Sequence, residues 1–207
     1  MPREEIDRLY QVFSRYRRPS ELEGCPCCTS PQKAKPLLHK SLRDISAPEL
    51  EHYAFKALTT SGTLADYKYF IPRILELSED GSLLCDIEVT LGKFTYGKFG
   101  DWPADERQAI HDFINGAWRE SVRSANLYRA DALLCGAASL LDNVSPLLAY
   151  ADAAAPRFKA AYAAQNSNPT KRKLLNSFWD DSTPNYERVL SWLYPNATNA
   201  GGVAAFF

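Results

Sequence analysis

Most kinds of residue occur here in ordinary amounts, so the shortages are what exclude. Three histidines among 207 residues leave few candidates for a general base or an imidazole ligand. Charge is nearly balanced, with 24 Lys and Arg against 25 Asp and Glu, a net charge of −1 and a pI near 6.3. The basic surplus that nucleic acid or an anionic membrane would attract is missing. No apolar run suits a membrane span, because the longest mildly apolar stretch, residues 130–155, is interrupted by Asp131, Asp142, Asn143, Pro146 and Asp152. The opening residues, Met1-Pro2-Arg3-Glu4-Glu5-Ile6, are charged and have no apolar region behind them, so a secretory leader is not expected. Five cysteines, an odd number, argue against a secreted disulfide framework and predict reduced thiols in a cytoplasmic protein. There is no phosphate loop, dinucleotide fingerprint, G-x-S-x-G or H-E-x-x-H.

What is present reads as helices. At 207 residues, 45% of them apolar, the chain can bury a core without staples. Ile6, Leu9, Tyr10 and Phe13 recur at i, i+3, i+4 and i+7, the stripe of a first amphipathic helix that stops before Pro19. Arg15, Arg17 and Arg18 are expected at its end, where cations suit the helix dipole. Ser46-Ala47-Pro48-Glu49 is a capping box that launches a helix carrying Leu50, Tyr53, Ala54, Ala57 and Leu58. Thr63 restarts the chain with Asp66 in the first turn, and Pro72 predicts a kink or a division into two short helices. Residues 85–91 fit helix or strand equally, and Gly92, Gly97 and Gly100 predict a loop up to Asp101.

Pro103 is placed at the first position of the longest helix, with Ile110, Phe113, Ile114, Ala117, Trp118 and Val122 inward. Leu133, Leu134, Ala137, Leu140 and Leu141 form a further stripe, Ser145-Pro146 restarts the chain, and Phe158, Ala161 and Tyr162 mark a weaker helix. Asn166 to Thr170 is a polar linker, and Thr183-Pro184 opens a last helix with Tyr186, Val189, Leu190 and Leu193 inward. The expected fold is mainly α, a compact and possibly superhelical multi-helix array with few or no strands. It forms one domain over residues 1–195, with a minor boundary near 166–170 and a loose tail from 196 to 207.

The densest chemistry is Gly24-Cys25-Pro26-Cys27-Cys28. Cys25 and Cys28 have the spacing with which two thiolates reach one zinc ion, Cys27 offers another pairing, and His39 a third ligand. A redox pair and a tight turn with idle thiols are the other readings; no second ligand pair completes a zinc site. Cys85 and Cys135 read as small buried residues. His52 and His111 read as solvated helix residues, and Asp105-Glu106 as complement to a helix dipole. In Asp66 to Leu77 three aromatics, a proline and the pair Arg73 and Glu76 allow two readings. One is a core helix with a local ion pair. The other is a partner-facing groove lined by Tyr67, Tyr69 and Arg73, since aromatics and arginine dominate interface hot spots.

Ala54 to Thr60, followed by Asp66-Tyr67-Lys68-Tyr69-Phe70-Ile71-Pro72-Arg73-Ile74-Leu75-Glu76-Leu77, resembles a family of uncharacterised bacterial proteins. Its members carry a cysteine-bearing turn, here Cys25 to Cys28, a block matching Leu42 to Leu77, and a helix start matching Trp102 to Phe113. The likeness covers roughly the first 120 residues and departs trivially at Ile71, where leucine is usual. It implies a bacterial, cytosolic helical protein and no particular reaction.

Two function classes remain. The first is a protein–protein interaction module, of the immunity or antitoxin kind, that needs no cofactor and contacts its partner through Asp66, Tyr67, Tyr69, Arg73 and Trp102. The second is a small zinc protein built on Cys25, Cys27, Cys28 and His39. An enzyme using Asp66, Tyr67 and Arg73 ranks last, and neither nucleic acid nor membrane is an expected partner.

Overall fold

The computed structural model describes residues 3–24 and 30–195. Ten α-helices occur among them. α1 (Arg3–Phe13) packs against α4 (Leu64–Glu79) and α6 (Ala104–Arg123), while α2 (Pro31–His39) leans on α3 (Ala47–Lys56). α5 (Ile87–Tyr96) lies along α7 (Leu127–Leu140), the most intimate helix pair of the fold. α8 (Ser145–Ala154), α9 (Phe158–Asn166) and α10 (Pro184–Leu193) gather against α6 and α7. The fold is a mainly α-helical array. One cluster of buried side chains includes Leu9 and Phe13 of α1 as well as Val189 and Leu190 of α10, so both sides of 166–170 contribute to it.

Local chemistry sets most of the boundaries. The Ser46 and Thr63 caps form as the sequence implies. The Ser46 amide donates to Glu49 Oε2 at 2.9 Å, and that of Thr63 to Asp66 Oδ2 at 2.7 Å. Lys40 at 2.7 Å and the Ser46 groups hold the Glu49 carboxyl down at about 2. α10 starts at Pro184 with the Thr183 hydroxyl accepting from the Tyr186 amide. The inward faces expected for α6 and α10 are buried.

Several expectations are corrected. α4 is not divided at Pro72: it runs unbroken from Leu64 to Glu79, anchored by its cap and by buried Tyr67, Phe70, Ile71, Ile74 and Leu75 around the proline. The proposed loop at 92–101 is partly helix, because α5 continues through Gly92 to Tyr96; Ile87, Leu91 and Phe94 at i, i+4 and i+7 are buried and override the weak propensity of glycine. Pro103 is the residue before α6, not its first. Ala161 faces solvent. The polar segment near 166–170 opens a small hairpin, β1 (Ser167–Asn168) antiparallel to β2 (Lys173–Leu174), with Ser167 opposite Leu174.

α1 ends before the arginine cluster, and those cations serve other partners. Arg15 binds Asp105, and Arg18 donates to the carbonyls of His39 and Lys40 at 3.1 and 3.0 Å, capping the C-terminus of α2. Glu106 stands in the first turn of α6, as a dipole complement does, and has a second role. It is buried, with Lys68 Nζ 2.7 Å from Oε2 and the Tyr16 hydroxyl 2.6 Å from Oε1, so α4, α6 and the turn after α1 meet around this ion pair.

Candidate functional site

The residues proposed for partner contact do not form one open face. Tyr67 is buried and its hydroxyl donates to the Thr90 carbonyl at 3.2 Å; Trp102 is buried and donates to the Gly97 carbonyl at 2.7 Å. Arg73 is half-buried, spanning the Ile45 carbonyl at 2.8 Å and Glu76 at 2.7 Å. Tyr69 is half-buried with its ring edge-on to Phe70, and Asp66 caps α4. The physical reason is that Tyr67, Phe70, Ile71 and Ile74 form a helical stripe, which turns the block toward the core.

Cys25, Cys27 and Cys28 lie outside the described residues; His39 is exposed at the end of α2. Gly24, at φ 145°, pairs with Ser61 at the entrance to the cysteine segment, and a Cβ there would lie 2.2 Å from the Thr60 carbonyl oxygen. Among the described residues no three His, Cys, Asp or Glu side chains are gathered as metal ligands. Cys85 and Cys135 are free and buried, and burial pushes both thiols up, so neither is an activated nucleophile.

The most distinctive concavity lies where α5 meets α7. Gly136 lets the two helices touch, since a Cβ there would fall 2.9 Å from the Glu88 Cα and 3.0 Å from Leu91. At Gly92 on α5 the opposite holds, with nothing within 4 Å of an added Cβ. The result is a groove of about 260 Å³ lined by Glu88, Gly92, Tyr96, Cys135, Gly136 and Phe178 among others. Two of its aromatics stand out in solvent, Tyr96 at 69% and Phe178 at 60% exposure. Exposed Tyr128 joins the same side, its hydroxyl 3.3 Å from both Asp86 carboxylate oxygens, and exposed Leu175 precedes Asn176 in the adjoining segment.

Two buried carboxyls hold that segment in place. Asn176 Nδ2 donates to Glu88 Oε1 at 3.2 Å, and Trp179 Nε1 to Asp131 Oδ1 at 3.3 Å, where the Tyr162 hydroxyl also donates at 2.5 Å. Glu88 is 7% exposed, and its Oε2 is buried with no hydrogen-bond partner. Burial raises the Glu88 carboxyl above its ordinary range, and repulsion from Asp86 and Asp131 adds to the shift. Burial likewise raises Asp131. Lys93 also lines the groove, but its ammonium is engaged by the carbonyls of Phe55 and Ala57 at 2.9 and 3.2 Å, at the C-terminus of α3.

Beyond Ser139 the groove adjoins a second hollow of about 380 Å³, lined by Lys98, Phe99, Arg107, His111 and Asp142. His111 is half-buried there rather than solvated, 5.8 Å from the Phe99 ring, and burial together with Arg107 lowers its pKa. His52 is half-buried too.

Glu88 and Tyr96 carry no sequence signal of their own and Gly92 reads only as a loop former, although their i, i+4, i+8 spacing places an acid, a gap and an aromatic on one helical face. Phe178 and Asn176 carry no periodic signal, and only tertiary folding brings them to α5. No protein-family model, curated protein or solved structure matches this chain. What fold and groove define is a class by architecture: a mainly α-helical protein with an aromatic-rimmed groove between two closely packed helices. Among the described residues no helix is long and apolar enough to cross a membrane.

Proposed function

We propose that the protein works by binding another protein, and that the docking surface is the α5–α7 groove with its rim, not the 66–77 block. The observation that carries this reading is the outward display of Tyr96 and Phe178 over a groove whose floor holds a buried, partly unpaired carboxyl. Large aromatics held in solvent forgo burial worth roughly 2 kcal/mol each, and they are the residue type that anchors interfaces. Glu88 lines the groove and the Lys93 ammonium beside it is committed to the Phe55 and Ala57 carbonyls, so the group left to be met is a carboxyl and the complementary partner surface is apolar with a basic group.

Photo-cross-linking tests it. A photoreactive residue is placed at 96 or 178, with a control at Ala149 on the α8–α10 side. One partner, joined through the same partner segment from both 96 and 178 and not from 149, is the expected result. Cross-links from neither position, or equally from 149, would overturn the assignment.

A further inference from the structure

The floor of the groove has a chemistry that the docking reading does not by itself require. Glu88 is more than nine-tenths buried, it lines the groove, and Asn176 occupies only Oε1, leaving Oε2 without a donor. A buried carboxyl oxygen without a donor is unfavourable in a finished fold. The neighbouring cation does not supply one, because Lys93 is already committed to the Phe55 and Ala57 carbonyls. Nor does the Tyr128 hydroxyl, which reaches Asp86 instead.

The approach to Glu88 is built from residues that local stability would not select. Gly92 sits one turn further along α5 on the same face, inside a helix that glycine disfavours. Nothing within 4 Å of its absent Cβ requires a glycine for packing, in contrast to Gly136. One turn further still stands Tyr96, with Phe178 on the opposing segment, two exposed rings beside a groove lined by the Glu88 carboxyl. Aromatic faces and a carboxylate together attract an alkyl chain that ends in a positive charge, the rings by cation–π attraction and the carboxylate by charge-assisted hydrogen bonds.

We infer that the groove is a cation-recognition pocket, and that the group it accepts is an arginine or lysine side chain of the partner, inserted past Gly92 between Tyr96 and Phe178 to complete the hydrogen bonding of Glu88. This rests on the docking assignment above only for the source of the side chain. The pocket chemistry is independent of it.

The test uses the full chain and small probes. The capped tripeptides Gly-Arg-Gly and Gly-Lys-Gly, with Gly-citrulline-Gly as the uncharged isostere, are titrated while NMR follows the amides of Gly92 and Gly136 and the indole of Trp179. Saturable shifts at these positions with a cationic peptide, and at least about ten-fold weaker binding of citrulline, are expected for a charge-assisted contact. The preferred cation identifies the side chain. Glu88→Gln, which keeps the shape, is expected to weaken binding by about ten-fold or more. Phe178→Ala, at an exposed rim position, gives a several-fold loss and serves as the second variant if Glu88→Gln disturbs the fold. Citrulline binding equal to arginine, Glu88→Gln binding equal to wild type, or no saturable shift with either cation would each overturn the inference. Peptide binding with no cross-linked partner overturns the docking assignment alone, and a cross-linked partner with no peptide binding overturns the pocket alone.

Discussion

Lys68 and Glu106 bring opposite charges into a part of the molecule that is otherwise aromatic. The Lys68 ammonium lies 4.1 Å from the centre of the Trp102 ring and 2.7 Å from Glu106, and both side chains are buried. Such a pair contributes little net stability relative to an apolar replacement, but removing one partner strands the other charge. Lys68→Met is therefore expected to destabilise the fold by about 3–5 kcal/mol in urea denaturation. Lys68→Met/Glu106→Leu should recover most of the loss, and a double variant as unstable as the single one would contradict this account. Glu88 is a different case. Burial raises its carboxyl, so the folded chain holds this proton more tightly than the unfolded chain does. Its contribution to stability is complete below the ordinary carboxyl value of 4.5 and is lost as pH rises through the raised one. Unfolding of wild type and Glu88→Gln followed from pH 4 to 8 is expected to show the variant gaining on wild type as pH increases. Parallel curves would show that Glu88 titrates normally.

At the scale of elements, the α5–α7 contact contains two glycines with opposite roles. Gly136→Ala must push a methyl group against the backbone of α5, and a loss of about 1–3 kcal/mol is expected. Gly92→Ala meets open space inside a helix and is expected to stabilise by up to about 1 kcal/mol while narrowing the groove. Thermal melts of the two variants should move in opposite directions; a loss at Gly92 would mean that the position serves packing. From sequence alone these two residues look alike, because the difference lies in what faces them. The same limit sets which features are legible in the sequence. Caps at Ser46, Thr63 and Thr183 are local, needing only residues three apart, and the stripes of α1, α6 and α10 are periodic. α4 stays undivided at Pro72 and residues 92–96 are helical because packing on neighbouring helices outweighs proline and glycine propensity. The aromatic block at 66–77 is conspicuous in sequence for the reason that it is core, whereas the groove joins α5 to a segment 88 residues away.

For the whole molecule, near-neutral charge means that long-range steering is weak and recognition is decided at short range, within a Debye length of about 10 Å at 0.1 M salt. Among the described residues Tyr96 and Phe178 are the exposed aromatics that rim the groove. The central claim is that binding runs through them. Its most direct test is the affinity of the cross-linked partner for wild type and for Tyr96→Ala/Phe178→Ala, with thermal melts confirming an unchanged fold. Loss of two interface anchors is expected to weaken binding by about thirty-fold or more; affinity unchanged from wild type in a folded variant would contradict the account.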